Sequence, residues 1–203
     1  MTATDHGYQV VARSALPLDT VALAQALIGK VVVRETLEGV LSGRIVETEA
    51  YPVGDAASHA YHGETAHNRS LFLGRGHAHV YLAYGASWML NVSSEAEGVG
   101  AGVLIRALEP LEGVEIMQRN RGVQDLRDLA RGPGRLAAAL GVDLRLDGVD
   151  LCSVGPLWLA HGSGDEPEIG ISTRIGITKD PDRPLRFFVR GDRFVSGPRT
   201  LNR

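Results

Sequence analysis

Residues 30–51, KVVVRETLEGVLSGRIVETEAY, decide the fold because they hold two strand-like runs around one turn signal. Apolar and β-branched residues lie on both sides of Glu38-Gly39, which predicts two antiparallel strands joined there. The second strand ends in IVETEAY, residues 45–51, where two carboxylates are separated by one residue. Because side chains of a strand alternate between its faces, Glu47 and Glu49 are predicted to share one face.

The glutamate pair allows two interpretations. A Glu-x-Glu pattern on a strand is typical of a solvated face. A carboxylate at the mouth of a pocket can instead activate a water molecule, provided that a cationic neighbour keeps it ionised. Arg106 is the candidate neighbour, since it lies within the apolar run AGVLIRAL and a buried arginine needs a partner. These residues alone leave the choice open.

The remaining segments predict a mixed succession of helices and strands. Residues 18–30 indicate a short helix with Asp19 or Thr20 as its N-cap and a stop at Gly29. Residues 77–94 predict a hairpin with Tyr84-Gly85 at its tip. Residues 101–113 predict a buried strand followed by a turn at Glu109-Pro110. Two short helices, each closed by a glycine, and a strand around PLRFFVRG follow. Without regular βα alternation, this order favours an α+β fold.

Histidines and aromatic residues concentrate in one region of the chain. Residues 52–76 are polar and predict a long loop, a feature that is often functional. Five histidines fall in or just after it: His59, His62, His67, His77 and His79. The last two are predicted to share a strand face and could bind a metal. Aromatic planes from Tyr51, Tyr61, Tyr81, Tyr84 and Trp88 could hold a flat ligand or simply pack in the core. Tyr84, at a hairpin tip, is expected to be exposed and to act as a wedge or contact residue.

The composition is that of an ordinary globular protein. The 203 residues are 44% hydrophobic and 22% charged. The beginning, MTATDHGYQV, lacks a basic region followed by an apolar run, so we expect a cytoplasmic protein without an export signal. Cys152 is the single cysteine, which excludes an internal disulfide framework and a cysteine-based zinc site.

Charge is distributed unevenly along the chain. The net charge is −3, yet residues 173–203 contain eight Lys/Arg against three Asp/Glu, a balance of +5 that leaves −8 for the rest. A basic patch can bind phosphate whatever the total charge is. A solvated surface is the alternative interpretation.

Taken together, the sequence resembles the alkyladenine (3-methyladenine or methylpurine) DNA glycosylases. The resemblance extends from Leu16 to Gly197, in blocks that occur in the same order: LIGKVVV, GRIVETEAY, DAASHAYHGETAHNRSLF, HVYLAYGASWMLNVSS, GVLIRALEPLEG, RGPGRLAAALG and PLRFFVRG. It implies one domain over residues 1–203, a curved, mostly antiparallel sheet with flanking helices, and a protruding β-hairpin that inserts into DNA. It also implies a monomer near the nucleoid that acts on double-stranded DNA, without cofactor or metal.

The resemblance also implies roles for individual residues. Glu49 corresponds to the general base, Arg106 to the residue that positions the attacking water, and the Val189 carbonyl to a third contact of that water. Tyr51 and Tyr81 correspond to the planes around the flipped base. Further contacts are implied for His59 on an edge of the base, for Asn91 against the 2-amino group of guanine, and for Tyr84 and Gly85 in the minor groove. Glu47 remains a solvated strand residue in this interpretation.

The implied reaction releases damaged purines, which within the family include 3-methyladenine, 7-methylguanine, hypoxanthine and ethenoadenine, and begins base excision repair. Two other hypotheses fit parts of the sequence. One is a metal-dependent hydrolase that uses the histidine cluster, and the other is a nucleic-acid-binding module without catalytic activity.

Overall fold

A computed structural model of the chain describes residues 7–164 and 166–202, and it is built around one curved antiparallel sheet. The strands are β1 (Val31–Thr36), β2 (Gly39–Tyr51), β3 (Ala78–Ala83), β4 (Ser87–Ser93), β5 (Gly102–Glu112), β6 (Leu157–Ala160), β7 (Ile169–Ser172) and β8 (Arg186–Val189). Their order is β3-β4-β5-β2-β1-β6, and β8 pairs with both β2 and β7. The α+β architecture expected from the sequence is confirmed.

Within the described residues, four α-helices pack around the sheet. They are α1 (Thr20–Leu27), α2 (Val114–Arg121), α3 (Leu126–Leu129) and α4 (Pro133–Ala139). The α1 start is confirmed, since the Asp19 carboxylate accepts the Ala22 N–H at 2.8 Å. The predicted glycine stops after α2 and α4 are also present, with Gly122 and Gly141 at positive φ. No helix in the described part of the chain is long and apolar enough to cross a membrane. Residues 1–6, on which the export-signal expectation mainly falls, lie outside the described residues.

The long strand β2 is bent and lies in the middle of the sheet. Its first half pairs with β1, and its second half pairs with β5 on one side and β8 on the other. The register with β5 shifts beside Gly43 and again between Ile45 and Thr48, and such bulges bend a strand. Glu47 and Glu49 therefore lie at and just after these register shifts, between two neighbouring strands. Neither lies on a sheet edge.

The predicted hairpin around Tyr84-Gly85 is confirmed as β3–β4. The Ala86 N–H donates to the Ala83 carbonyl at 3.0 Å, which closes a tight turn. Both central residues have positive φ, +51° at Tyr84 and +67° at Gly85. Glycine adopts this conformation freely, whereas a bulky residue does so at a cost. The Tyr84 side chain is 95% exposed.

One predicted turn is wrong. No turn occurs at Glu109-Pro110, because β5 continues through both residues to Glu112. Pro110 lies opposite Gly43, next to a register shift of β2, where a missing backbone N–H is tolerated. The chain turns at Gly113 instead, which has a φ of +73° and directly precedes α2.

Candidate active site

A cavity of about 370 Å³ opens between the β3–β4 hairpin, β5, the loop after β2 and the segment before β8. This volume lies in the usual range of small-molecule sites. The residues around it come from segments that are distant in sequence. They include most of the residues that the sequence singled out: Tyr51, His59, Tyr81, Tyr84, Asn91 and Arg106.

Glu49 lies directly behind the cavity wall and is fully buried. Its Oε2 accepts the Tyr51 hydroxyl at 2.9 Å and lies 3.1 Å from Arg106 Nη1. Its Oε1 accepts the backbone N–H of Ile175 at 2.7 Å. All three partners line the cavity. Because a carboxylate offers about four acceptor positions, Oε1 retains one for a water molecule.

Glu47 is not the solvated residue that the sequence suggested. It is fully buried, and its Oε1 accepts Arg186 Nε at 2.6 Å and Arg106 Nε at 3.1 Å. Its Oε2 accepts the Ser196 N–H at 2.7 Å. Burial alone would raise the pKa of Glu47, but the two arginines and the Ser196 N–H outweigh it and hold that pKa below its ordinary value. Glu47 is therefore a buried, ionised anchor, and two of its three donors, Arg186 and Ser196, lie away from the cavity.

Arg106 bridges the two glutamates, whereas its place in an apolar strand predicted a single carboxylate partner. Its Nε faces Glu47 and its Nη1 faces Glu49, both at 3.1 Å. Burial favours the neutral guanidinium, yet Glu49 and Glu47 raise the pKa of Arg106 above its ordinary value. The guanidinium is thus a permanent charge between the two carboxylates, with one edge at the cavity.

Tyr51 forms part of the cavity wall and has an arginine behind its ring. The Arg174 guanidinium lies 4.6 Å from the ring centroid. Arg174 is itself held by the buried Asp55, with 2.8 Å between Nη1 and Oδ2. Burial and the adjacent Glu49 raise the pKa of Tyr51 far above its ordinary value, so its hydroxyl stays protonated and donates to Glu49. One ring face of Tyr51 is therefore taken by Arg174.

The rings of His59 and Tyr81 form a second aromatic surface. Their centroids are 3.9 Å apart and the planes are inclined by 56°. Partial burial of the imidazole and the nearby His79 lower the pKa of His59. Burial, with smaller contributions from Tyr84 and Glu49, raises the pKa of Tyr81 to about 12. Asn91 lines the same cavity and donates to the His79 carbonyl at 3.1 Å. The His59 imidazole and the Tyr81 phenol are therefore both neutral at pH 7.

Val189 is not brought to this site. It pairs with Ile169 of β7, and its carbonyl accepts the Asp192 N–H at 3.3 Å. The register of β8 places Arg186, three residues earlier, opposite Glu49. The backbone that does reach Glu49 from the C-terminal part of the chain is that of Ile175. The geometry therefore gives no support to a water contact from Val189.

The two histidines that were predicted to share a strand face have separate partners. His77 precedes β3, and its Nδ1 lies 3.1 Å from the Gly74 carbonyl and 3.3 Å from Arg13. His79 lies within β3, and its Nδ1 is 2.7 Å from Ser70 Oγ. Across residues 7–164 and 166–202, no group of three or more His, Cys, Asp or Glu residues is arranged to hold a metal ion.

Part of the basic C-terminal segment is internal. Arg174 and Arg186 are buried and ion-paired with Asp55 and Glu47. Neither interpretation of the basic segment, a phosphate-binding patch or a solvated surface, holds for these two arginines. Among the residues of this segment whose side chains the structure describes, the exposed basic ones are Lys179, Arg183, Arg190 and Arg193. Arg183 also pairs with Asp55, at 2.9 Å.

Sequence reasoning missed Arg174, Arg186 and Ile175. A signal for the arginines was present, since each lies in an apolar neighbourhood like that of Arg106, in STRIGI and PLRFFV. No side-chain signal could have revealed Ile175, because it contributes a backbone N–H.

The arrangement suits one kind of chemistry. A carboxylate with a free acceptor position, fixed by an arginine beside a cavity with aromatic walls, can activate water against a substrate that carries a flat ring. Fold and site together thus define a hydrolase for a planar group.

Comparison with known proteins specifies this class. The family model described as Methylpurine-DNA glycosylase (MPG) matches residues 14–193. Among the relatives named "Putative 3-methyladenine DNA glycosylase" are the three that follow. The Mesorhizobium japonicum protein is 71% identical over 94% of this chain and 92% of its own. The corresponding figures are 56%, 93% and 89% for Paraburkholderia phytofirmans, and 51%, 87% and 92% for Rubrobacter xylanophilus. The chain belongs to the methylpurine-DNA glycosylase family, and is thus a DNA repair enzyme of the N-glycosyl hydrolase type.

Proposed function

We propose that this protein flips damaged purines out of duplex DNA and hydrolyses their N-glycosidic bond with a water molecule activated by Glu49. The observation that carries the proposal is the bonding of Glu49. Three donors fix the carboxylate, they all line the cavity, and Oε1 keeps one acceptor position. Glu47, two residues earlier, also has three donors, but two of them, Arg186 and the Ser196 N–H, lie away from the cavity. Of the two, Glu49 is therefore the one placed to accept a proton from a water molecule in the cavity.

In the proposed reaction, the bond between C1′ and the purine nitrogen breaks while water adds to C1′. Glu49 takes the proton of the water, and the electron pair of the broken bond leaves with the base. The sugar carries positive oxocarbenium character in the transition state, which a neighbouring carboxylate stabilises. Arg106 keeps the carboxylate in place and orients the water. The products are the free base and an abasic site.

The aromatic residues supply the base pocket in this proposal. Tyr51 contributes one surface, and Tyr81 with His59 contributes the other. An alkylated purine is electron-poor, so it stacks well on electron-rich rings. Asn91, fixed by its bond to the His79 carbonyl, limits the space for the 2-amino group of normal guanine. Damaged bases within this scheme are 3-methyladenine, 7-methylguanine, hypoxanthine and ethenoadenine.

Tyr84, with Gly85, is proposed to enter the minor groove and fill the space that the flipped nucleotide leaves. Two observations support this role. The side chain is 95% exposed, and the residue holds a positive φ that a tyrosine adopts only at a cost. A wedge residue offsets part of the few kcal/mol that flipping requires. We further propose that the protein acts as a monomer on double-stranded DNA in the cytoplasm, near the nucleoid.

The test is base release by the purified protein. A labelled duplex with one hypoxanthine or ethenoadenine is incubated with the protein and then treated with alkali, which cuts abasic sites. We expect strand cleavage at the damaged position and none in the matched undamaged duplex. A protein that binds these duplexes but releases no base from them, or from methylated DNA, would be the binding module instead.

A further inference from the structure

His79 is a buried residue of the cavity, and the proposed reaction assigns no role to its side chain. Its side chain is 1% exposed, and its ring lines the cavity beside Tyr81, with centroids 5.4 Å apart. Its Nε2 is shielded from solvent and has no hydrogen-bond partner among the described residues. An unsatisfied buried nitrogen costs stability, which makes it a candidate for contact with a ligand.

The other ring nitrogen of His79 is fixed by a short chain of hydrogen bonds. Its Nδ1 lies 2.7 Å from Ser70 Oγ, and Ser70 Oγ lies 2.7 Å from Asp147 Oδ1. The same Asp147 oxygen accepts the Val80 N–H at 2.9 Å. Burial alone would raise the pKa of Asp147, but the imidazole of His79, 3.6 Å away, and the bonds from Val80 and Ser70 outweigh it and hold that pKa below its ordinary value. Asp147 is therefore an ionised acceptor.

Counting protons along this chain defines the state of the imidazole. Ser70 has one hydroxyl proton, and ionised Asp147 can only accept, so that proton points to Asp147. Ser70 Oγ must then accept from His79, which places a proton on Nδ1. A second proton on Nε2 would leave a charged N–H buried without a partner, a costlier state than a free lone pair. The neutral ring therefore carries its lone pair on Nε2.

We infer that His79 Nε2 is a hydrogen-bond acceptor for an N–H group on the edge of the extruded purine, and that Ser70 and Asp147 fix the tautomer that makes it one. This inference rests on the proposed glycosylase function and adds a preference among its substrates. Bases with an N–H or amino group on that edge gain a bond. Bases without one leave Nε2 unsatisfied.

Access to Nε2 requires a neighbour to move. His59 packs edge-on against His79, with ring centroids 5.9 Å apart, and belongs to the loop after β2. His59 is exposed and lies in a loop, whereas His79 is held within β3, so His59 is the neighbour better able to adjust. In this inference, a base that stacks on Tyr81 and His59 tilts the His59 ring and so makes Nε2 accessible.

Two substrates separate this inference from general damage to the pocket. Hypoxanthine carries an N1–H, whereas in ethenoadenine the etheno bridge has consumed both N1 and the 6-amino group. We expect His79→Phe, which keeps an aromatic ring without a lone pair, to lower single-turnover release of hypoxanthine about 3- to 10-fold relative to ethenoadenine. Ser70→Ala removes the hydrogen bond that fixes the tautomer of His79. It should lower the ratio of hypoxanthine release to ethenoadenine release by a smaller factor. An unchanged ratio in His79→Phe overturns the inference.

A spectroscopic measurement covers the case in which these variants fold poorly. Long-range ¹H–¹⁵N spectra of the wild-type protein with labelled histidine report which ring nitrogen carries the proton. We expect Nδ1–H with a bare Nε2 for His79, and a proton on Nε2 would overturn the inference. Failure of the proposed function is distinguishable, since the wild-type protein would then release neither base.

Discussion

At the residue scale, two glutamates on one strand face differ in role because they have different partners. Both are buried at the bend of β2, and Arg106 touches both. Glu47 is tied to Arg186 and Ser196, which lie more than a hundred residues further along the chain. Glu49 is tied to residues of the cavity wall. Alternation along the strand predicted the shared face correctly, but partners so distant in sequence could not be predicted from the segment.

The structural role of Glu47 predicts a large loss of stability in Glu47→Gln. Removal of one partner from a buried ion pair leaves uncompensated charge, here on Arg186 and Arg106, which costs about 3–5 kcal/mol. Urea unfolding followed by circular dichroism measures the free energy of unfolding. Glu109→Gln is the control, since its bond to Arg44 is partly exposed and worth at most about 1 kcal/mol. Equal losses in the two variants would contradict the anchoring role.

The pKa of Glu47 also predicts how this loss depends on pH. Its folded pKa lies below 4.5, the value of the unfolded chain. The contribution of Glu47 to stability is therefore complete above about pH 4.5 and disappears as the pH falls through the folded pKa. We expect the difference in unfolding free energy between wild type and Glu47→Gln to shrink on acidification below pH 4.5. A difference that stays constant down to the acid transition would speak against an ionised Glu47.

At the element scale, local signals predicted turns well where glycine occupies them. The hairpins at Gly39 and Gly85 and the helix ends at Gly122 and Gly141 all occur as predicted. The turn predicted at Pro110 is wrong because β5 can accommodate a proline opposite a bulge in β2. Such a bulge depends on how the two strands pair, so the sequence of β5 alone does not reveal it. The separate partners of His77 and His79 likewise depend on Arg13 and Ser70, which approach from other parts of the fold.

The strained tip of the β3–β4 hairpin predicts a trade between stability and function. Asparagine adopts positive φ more easily than tyrosine and is common before glycine in such turns. We expect Tyr84→Asn to stabilise the protein by about 1 kcal/mol and to weaken binding to damaged duplex more than to undamaged duplex. Denaturation and fluorescence anisotropy measure the two effects.

Leu37→Asn is the matched control, because it also replaces an exposed apolar side chain at a hairpin turn by asparagine. It should leave both duplex affinities unchanged. A Tyr84→Asn variant with equal losses on damaged and undamaged DNA would count against the wedge role.

At the scale of the whole molecule, one sheet connects distant parts of the chain to the site. The C-terminal segment is fixed to the core by Arg186, which donates to the carbonyls of Ser196 and Leu201. Its basic composition thus serves internal ion pairs as well as the surface. Composition alone could not distinguish these uses, because burial of an arginine depends on a carboxylate supplied elsewhere in the fold.

Water activation by Glu49 and Arg106 predicts that the reaction is independent of added metal. We expect the rate of base release in excess EDTA to equal that in buffer alone, at matched ionic strength because binding to DNA depends on salt. A metal-dependent hydrolase would lose activity in the chelator and regain it when zinc or magnesium is restored in excess.

The most direct test of the account is single-turnover base release by Glu49→Gln from a duplex with one ethenoadenine. Glutamine keeps the size and several hydrogen bonds of the carboxylate but is not a base, so we expect loss of at least about 100-fold in rate, with affinity for the damaged duplex retained. Release at the wild-type rate by folded Glu49→Gln would show that the base lies elsewhere.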